Sequence, residues 1–319
     1  MFSPAQALAR LMQQHLGTQV PQESLQLIAS GASGRSIMRS TLAPGIIGVY
    51  WTADRADNAA FVPAARYLAA AGLRVPAVLA TANYGEGRGA CLVQDLGSID
   101  LLSLKGAPWP TRKAAYARAL QTLLPLHSVQ PDFPLQPPFD AGMYRWEQEY
   151  FAEHLVGRHL QQSAQDFLAH PALMQMAGML AQLPRVPVHR DCQSQNIMLH
   201  ENRAWLIDFQ GMRYGLAEYD IASLIYDPYM DNSEQECDEL LALYEDMAGH
   251  PANTEIFSAC AMQRLMQALG AFANIGYNQN REWYLNLIPT GLRKLRQIAE
   301  RVPVGTSTQC VAQWLLTVV

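Results

Sequence analysis

Lysine is almost missing from this chain: Lys105, Lys113 and Lys294 are the only three in 319 residues. Charged residues make up 16% of the sequence, the formal net charge is −5, and no basic run exists. A nucleic-acid partner, which would be held by counterion release, is therefore not expected. No stretch reaches about 18 consecutive apolar residues, so no membrane-spanning helix and no membrane partner are predicted. Five cysteines (Cys91, Cys192, Cys237, Cys260 and Cys310) are an odd number with no CxxC pair. A disulfide framework or zinc site is not expected, and free thiols in a reducing cytosol fit. The opening MFSPAQALARLMQQHLG has no basic stretch ahead of a continuous apolar run, and it reads as an amphipathic helix and not a secretory signal. A cytoplasmic protein is expected. With 50% hydrophobic residues a large core is available and global disorder is excluded. Repeats and low-complexity tracts are absent as well.

What is there divides into two textures. Residues 3–16 have helical periodicity, and 24–30, 35–42 and 45–53 are short β-rich runs set apart by Gly and Pro. A helix ending at Gly72 follows, with Asp57-Asn58 offering N-cap chemistry and Pro63 in its first turn. Two more strands, 77–83 and 89–95, flank a Gly85-Glu86-Gly87 turn. Past Asp95-Leu96-Gly97 helical periodicity dominates: 111–127, 141–157, 172–182, 234–248, 253–278 and 283–300. The Pro-rich segment 131–138 is a rigid connector, and two short strands near 197–200 and 204–208 flank Glu201-Asn202. The expected fold class is α+β and bilobal, like a protein kinase. Residues 1–96 would form a small antiparallel β lobe with one helix, and 97–319 a larger, mostly helical lobe.

The informative stretch is VHRDCQSQNIMLHENRAWLIDFQGMRYGLAEYDIASLIYDPY, from Val188 to Tyr229. His189-Arg190-Asp191 is followed by Asn196 five residues after the Asp, and Asp208-Phe209 begins twelve residues later. This is the order and spacing of a kinase-type phosphoryl-transfer site. Asp191 would accept a hydrogen bond from the acceptor hydroxyl and hold it in line with the γ-phosphate. Asn196 and Asp208 would supply hard oxygen donors to magnesium, which favours a few carboxylates plus phosphate. His189 and Arg190 would support the loop.

The small lobe says less. Gly31 to Gly34, with Ser33 between them, lies between two predicted strands where a phosphate-covering loop would sit. A tight hairpin turn that needs Gly for positive φ explains the same residues equally well. The lysine of a kinase third strand and its glutamate partner on the following helix are both missing, since the strand reads Gly48-Val49-Tyr50-Trp51 and the helix has no acid. Their joint absence is coherent, because one alone would be a buried unpaired charge. Arg35 or Arg39 is an alternative phosphate cation, and each can also be read as a solvated strand charge. The segment 141–157 is expected over the acceptor pocket, with Trp146, Glu147, Glu149 and Glu153 as candidates for acceptor hydroxyls and ring stacking. Trp146 and Tyr150, four residues apart, also read as core. Asp227 either points to the site or caps the turn before Pro228.

The HRDCQSQN, LIDFQGMRYG and YDIASLIYDPYM segments, with CLVQDLG at 91–97, Gln263-Arg264 and LGAFANI at 269–275, resemble the aminoglycoside/choline phosphotransferase family. Within it the likeness is greater to the bacterial branch that phosphorylates the anomeric hydroxyl of N-acetylmuramate and N-acetylglucosamine. The resemblance implies ATP and Mg²⁺, a sugar 1-phosphate product and a role in cell-wall recycling. It implies that the backbone of Gln94, Asp95 and Leu96 receives adenine. It also implies that Asp220 braces the catalytic loop, a residue that otherwise reads as a helix N-terminal acid favourable with the dipole. Cys192 departs from the branch by replacing an aromatic. Gln267 and Asn274 stand where the branch carries cations. If those positions face the sugar, a neutral acceptor is favoured over the carboxylate of N-acetylmuramate; if they face solvent, nothing changes. Competing readings are a kinase of another acceptor (an aminoglycoside, choline or a neutral hexose) and a nucleotide-binding pseudokinase. A monomer or weak dimer is expected, and the apolar tail CVAQWLLTVV (310–319) would dock on the helical lobe or mark a dimer contact.

Overall fold

The computed structural model describes residues 3–30 and 34–319. Gly31 and Ser33 lie outside the described residues. Helix α1 (Pro4–Leu16) opens on a capping box between Ser3 and Gln6 and closes at Gly17, which is left-handed at φ 69°. Five antiparallel strands follow: β1 (Leu25–Ser30), β2 (Ser36–Ser40), β3 (Ile46–Trp51), β4 (Val78–Gly85) and β5 (Arg88–Gln94). They lie in the order β1-β2-β3-β5-β4. Helix α2 (Phe61–Ala70) connects β3 to β4.

Strand β3 is buried along its whole length because the sheet is covered on both faces. Side chains alternate with a period of two. Ile46 and Tyr50, with Ala90 and Leu92 of β5, pack against Leu8 and Met12 of α1. Ile47, Val49 and Trp51, with Cys91 and Val93, pack against Phe61, Ala64 and Leu68 of α2. The lobe thus has two helices, α1 over the helical stretch expected at 3–16 and α2 between the third and fourth strands. A lysine on β3 would be sealed in apolar surroundings, which fits its absence. The predicted cap of α2 is displaced: Ala56–Ala60 forms a 3-10 turn, and α2 begins at Phe61 without a side-chain cap. Asp57 is held instead by Arg55 at 3.1 Å.

The helical part comprises α3 (Trp109–Leu123), α4 (Ala141–Phe151), α5 (Ala164–Ala169) and α6 (Pro171–Gln182). Beyond these come α7 (Ala217–Ile225), α8 (Glu234–Ala248), α9 (Thr254–Asn278), α10 (Ile288–Arg301) and α11 (Gln309–Val318). Two small antiparallel pairs lie between α6 and α7. Strands β7 (Ile197–His200) and β8 (Arg203–Leu206) form a hairpin on the left-handed Glu201 and Asn202. Strands β6 (Val186–Val188) and β9 (Arg213–Gly215) form a second pair that periodicity did not signal. The helix expected over 141–157 changes hand-hold at Phe151, where Ala152–His159 continues as a π-helical segment. The tail docks as α11, with Val311 and Leu315 buried and the Trp314 ring stacked on His170 at 4.8 Å. The five cysteines are unpaired and four are buried, and burial pushes the Cys91 thiol up to about 12. Lys294 is fully buried, donating to the Asn232 carbonyl at 2.9 Å, and Lys113 pairs with Glu239.

Helix α9 is the spine of the larger lobe, and its glycines mark close crossings. A Cβ built on Gly270 would stand 3.0 Å from the Phe151 nitrogen and the Tyr150 oxygen, both main-chain atoms of α4. Main chain cannot swing aside as a side chain can, so this glycine sets the distance between α4 and α9. Gly270→Ala should therefore cost about 1–3 kcal/mol of stability through overpacking. Denaturant unfolding checks this, and an unchanged midpoint would mean the helices are not held that close.

Candidate active site

The catalytic loop leaves β6 at Val188 and reaches β7 through a 3-10 turn at Ser194–Asn196. Arg190 lies in the left-handed region at φ 79°. A non-glycine residue there is strained and persists only where its surroundings over-determine it. Asp220, on the first turn of α7 and fully buried, does so. Its Oδ2 accepts the His189 N–H at 2.6 Å and its Oδ1 the Arg190 N–H at 2.8 Å. His127 Nε2 is 3.2 Å from the same carboxylate and, facing an acceptor, must donate. His189 Nε2 donates to the Ile207 carbonyl at 2.8 Å, tying the loop to the strand that leads to Asp208.

Asp227 acts on the other end of the loop. Its oxygens accept the Ser194 and Tyr229 N–H groups at 2.8 and 2.9 Å, and it is 1% exposed. Burial raises its carboxyl above the ordinary value. Of the two readings offered by the sequence, the capping one describes its contacts, and the acceptor-binding one does not. Glu147 is likewise 1% exposed, with the Tyr219 hydroxyl donating to Oε1 at 2.8 Å and Gln263 Nε2 to Oε2 at 2.9 Å. Burial raises it too. It is a strut joining α4, α7 and α9 in place of a sugar ligand. Glu149 is exposed and faces Arg145 at 4.0 Å. Trp146 is half-exposed and stacks on Tyr150 at 5.2 Å.

Asp191 differs from these acids in being open, with 35% of its side chain exposed. Crowding by the protein would raise its carboxyl, but Arg190, Arg264, His189 and Arg213 outweigh that and hold it below its ordinary value of 3.8. Arg264 Nη2 is 3.5 Å from Oδ1. This arginine is fixed by Ser223 at 2.9 Å, by Gln267 and by Gln193 at 3.4 Å. Sequence alone assigns Arg264 no role. Its signal was a Gln-Arg pair inside an otherwise apolar helical run. Gln267, through Arg264, is one side chain removed from Asp191. Asn274 lies two turns further along α9 and donates to the Tyr150 hydroxyl at 2.7 Å. Trp283, half-exposed and stacked on Tyr229 at 5.8 Å, is a further aromatic surface beside the loop that the sequence did not single out.

Asn196 Nδ2 donates to the Asp191 carbonyl at 2.9 Å, and the Asn196 carbonyl accepts the Ile207 N–H at 3.0 Å. Asp208 is left-handed at φ 64°. Its Oδ1 accepts from Arg35 and from Gln210 Nε2 at 3.1 Å, while Arg35 Nη1 donates to Gln210 Oε1 at 2.9 Å. Arg35 also lies over the Phe61 ring, which stacks on Phe209 at 5.3 Å. An arginine and an aromatic stack therefore join the small lobe to Asp208 where a lysine–glutamate pair would otherwise stand. Arg39 is engaged elsewhere, clamping Asp95 with two bonds of 2.6 and 2.7 Å and the Gly97 carbonyl at 2.9 Å. Of Gln94, Asp95 and Leu96, the first two donate their amides to Ala77 and Gly45, and Leu96 makes no intrachain amide bond among the described residues. Gly34 is left-handed at φ 67°.

A bilobal α+β fold with an open aspartate on a doubly braced loop is the scaffold of a phosphotransferase. Residues 24–256 match the Phosphotransferase enzyme family, and the chain belongs to that family. Among named relatives, the N-acetylmuramate/N-acetylglucosamine kinase of Pseudomonas putida is 30% identical over 302 residues, covering 89% of this chain and 86% of that one. The kinase of the same name from Neisseria meningitidis is 28% identical over 235 residues, covering 67% of this chain and 68% of its own length. In fold, a choline/ethanolamine kinase family protein from Mesorhizobium loti aligns with a TM-score of 0.59 at 14% identity, covering 92% of both chains. An aminoglycoside phosphotransferase from Streptomyces rimosus, solved with ADP and streptomycin, aligns at 0.56 with 17% identity over 75% of this chain and 94% of its own. The protein is a kinase.

Asp220→Asn tests the brace. An amide nitrogen would face one of the two backbone donors, leaving a buried donor unsatisfied at about 1–3 kcal/mol. Displacing the loop by an ångström should lower kcat on the order of a hundredfold. Thermal melting and steady-state kinetics measure both, and a variant with wild-type turnover would remove Asp220 from the positioning of Asp191.

Proposed function

We propose that this kinase transfers the γ-phosphoryl group of ATP to the anomeric hydroxyl of an N-acetylated amino sugar, N-acetylglucosamine or N-acetylmuramate, in cytoplasmic cell-wall recycling. The observation that carries phosphoryl transfer is the contrast among four carboxylates. Asp220, Asp227 and Glu147 are buried and bonded within the protein, while Asp191 is open and ionised. The sugar rests on the names of the relatives that cover most of the chain.

In this reading residues 1–96 hold the nucleotide and 97–319 the acceptor. The Leu96 amide receives adenine, and the loop with Gly31, Ser33 and Gly34 covers the phosphates, with Arg35 nearby. Asn196 and Asp208 would hold magnesium, offering an amide oxygen and a carboxylate, the hard donors that ion takes. Among the described residues no cluster of three His, Cys, Asp or Glu could hold a metal alone, so phosphate and water would complete the shell. The ion would neutralise charge on the transferring group. Asp191 accepts the hydrogen bond of the acceptor hydroxyl and aligns its oxygen, a positioning role suited to a loose transition state. Arg190 and Arg264 keep Asp191 ionised, and Arg264 fixes its orientation.

The test is coupled ADP release with ATP and magnesium over N-acetylglucosamine, N-acetylmuramate, glucose, choline and kanamycin. Turnover on an N-acetyl hexosamine with loss of the reducing end is expected. Asp191→Asn should lower kcat by about 10²–10⁴ while ATP affinity persists. Turnover confined to choline or kanamycin would discard the sugar. A pH profile adds a second check. Asp191 lies below 3.8, so its ionised form persists as pH falls from neutral until below that value. Asp191 should therefore contribute no acid limb to kcat/KM between about pH 5 and 8. An acid limb in that window that vanishes in Asp191→Asn would contradict the assignment.

A further inference from the structure

A cavity of about 390 Å³ opens beside the catalytic loop, lined by Arg55, Asp57, Gln136, Met143, Trp146, Arg190 and Arg213. Asp191 and Glu147 attract both Arg190 and Arg213, but among the described residues no hydrogen bond joins either acid to them. Arg213 is 5% exposed, with its guanidinium 5.1 Å from the Phe139 ring centre and its Nε and Nη1 without a hydrogen-bond partner. Unpaired charged donors are among the costliest groups to bury. The Arg190 guanidinium, on the same wall, makes no side-chain hydrogen bond among the described residues. The two cations work against each other: burial and the neighbouring Arg190 push Arg213 down to about 10. Arg55 stands at the rim, and the one carboxylate of the lining, Asp57, is already paired with it at 3.1 Å. The nearby acids make their hydrogen bonds and closest ion pair with other groups. Glu147 is engaged by Tyr219 and Gln263, and Asp191 lies beside Arg264.

Arg213 is also held rigidly. Its strand β9 pairs with β6 on one edge. On the other edge the connector bonds to it, the Gln136 N–H to the Met212 carbonyl at 3.0 Å and the Phe139 N–H to the Tyr214 carbonyl at 2.8 Å. A guanidinium that lines an open volume and is carried on a strand bonded at both edges is pre-organised for a planar or tetrahedral oxyanion.

We propose that this cavity is an oxyanion site in which Arg190 and Arg213, with Arg55 at the rim, bind a carboxylate or phosphate group. The group has two possible sources: the carboxylate of the acceptor itself, or a separate small oxyanion that acts on the loop through Arg190. The site does not depend on which alcohol is phosphorylated.

The experiment titrates inorganic phosphate into the full chain by calorimetry. Arg213→Met, whose stem can still cover Phe139, should bind roughly tenfold or more weakly than wild type. Arg55→Met, at a side chain 44% exposed and safe for folding, should weaken binding by less. Arg35→Met separates this cavity from the Asp208 region and should retain the binding. Equal affinity in wild type, Arg213→Met and Arg55→Met, loss only in Arg35→Met, or no binding in wild type would overturn the proposal. Kinetics then distinguish the sources, an arm that rests on the amino-sugar reading. If the acceptor supplies the group, phosphate competes with N-acetylmuramate, and Arg213→Met lowers kcat/KM for it roughly tenfold more than for N-acetylglucosamine. If a separate oxyanion does, phosphate changes kcat without competing and the ratio of the two sugars is kept. Absence of turnover on either sugar would reject the amino-sugar reading while the phosphate titration still decides the site.

Discussion

One carboxylate without access to water organises this enzyme. Asp220 sits under the catalytic loop and accepts two successive backbone amides, those of His189 and Arg190. Immediately after these two amides the chain turns left-handed at Arg190. The turn lets Asp191 face outward while Asp220 faces in. The carboxylate is satisfied there because His127 approaches it and both its oxygens accept backbone amides. The loop's far end repeats the device with Asp227 and the amides of Ser194 and Tyr229. Two buried acids thus frame the one that is open.

A polar layer extends this order into the helical lobe. Glu147 of α4 accepts from both Tyr219 of α7 and Gln263 of α9, and Gln263 also donates to the Tyr144 carbonyl at 2.8 Å. Such a network specifies a single register among helices that apolar packing alone would let slide. Gly270 sets how near α4 and α9 come, and the network sets where along their length they meet. Arg264 follows Gln263 on α9, so its reach to Asp191 is a consequence of that register.

The sequence disclosed whatever depends on neighbours along the chain. The spacing of Asp191, Asn196 and Asp208 was legible because one loop and one hairpin connect them, and the strands from 24 to 95 were legible from their turns and alternation. Pairings between distant segments were not. Arg35 with Asp208, Arg264 with Asp191, and β6 with β9 each join residues whose separation no periodicity records. The acids of the acceptor segment were overread for the same reason: Glu147 is buried and Glu149 faces Arg145, an outcome set by which helices lie alongside. The missing lysine and its missing partner are visible in the sequence, but their physical setting needed α1, which covers the second face of β3. The π-helical segment after Phe151 has no sequence signal that we can identify.

The apolar core has a further consequence. Ile47, Val49 and Trp51 of the sheet belong to the same buried cluster as the residues of α3, α7 and α9. Phe61 on Phe209 and the Leu206 amide on the Arg74 carbonyl at 2.9 Å carry that continuity past the cleft. There is no dry seam at which one half could melt while the other stays folded. Heat should meet one cooperative unit with a single calorimetric transition, in which the sheet and the helices lose order together. For an enzyme whose open aspartate depends on alignments drawn from both halves, the temperature that disorders the sheet is also the temperature that ends catalysis.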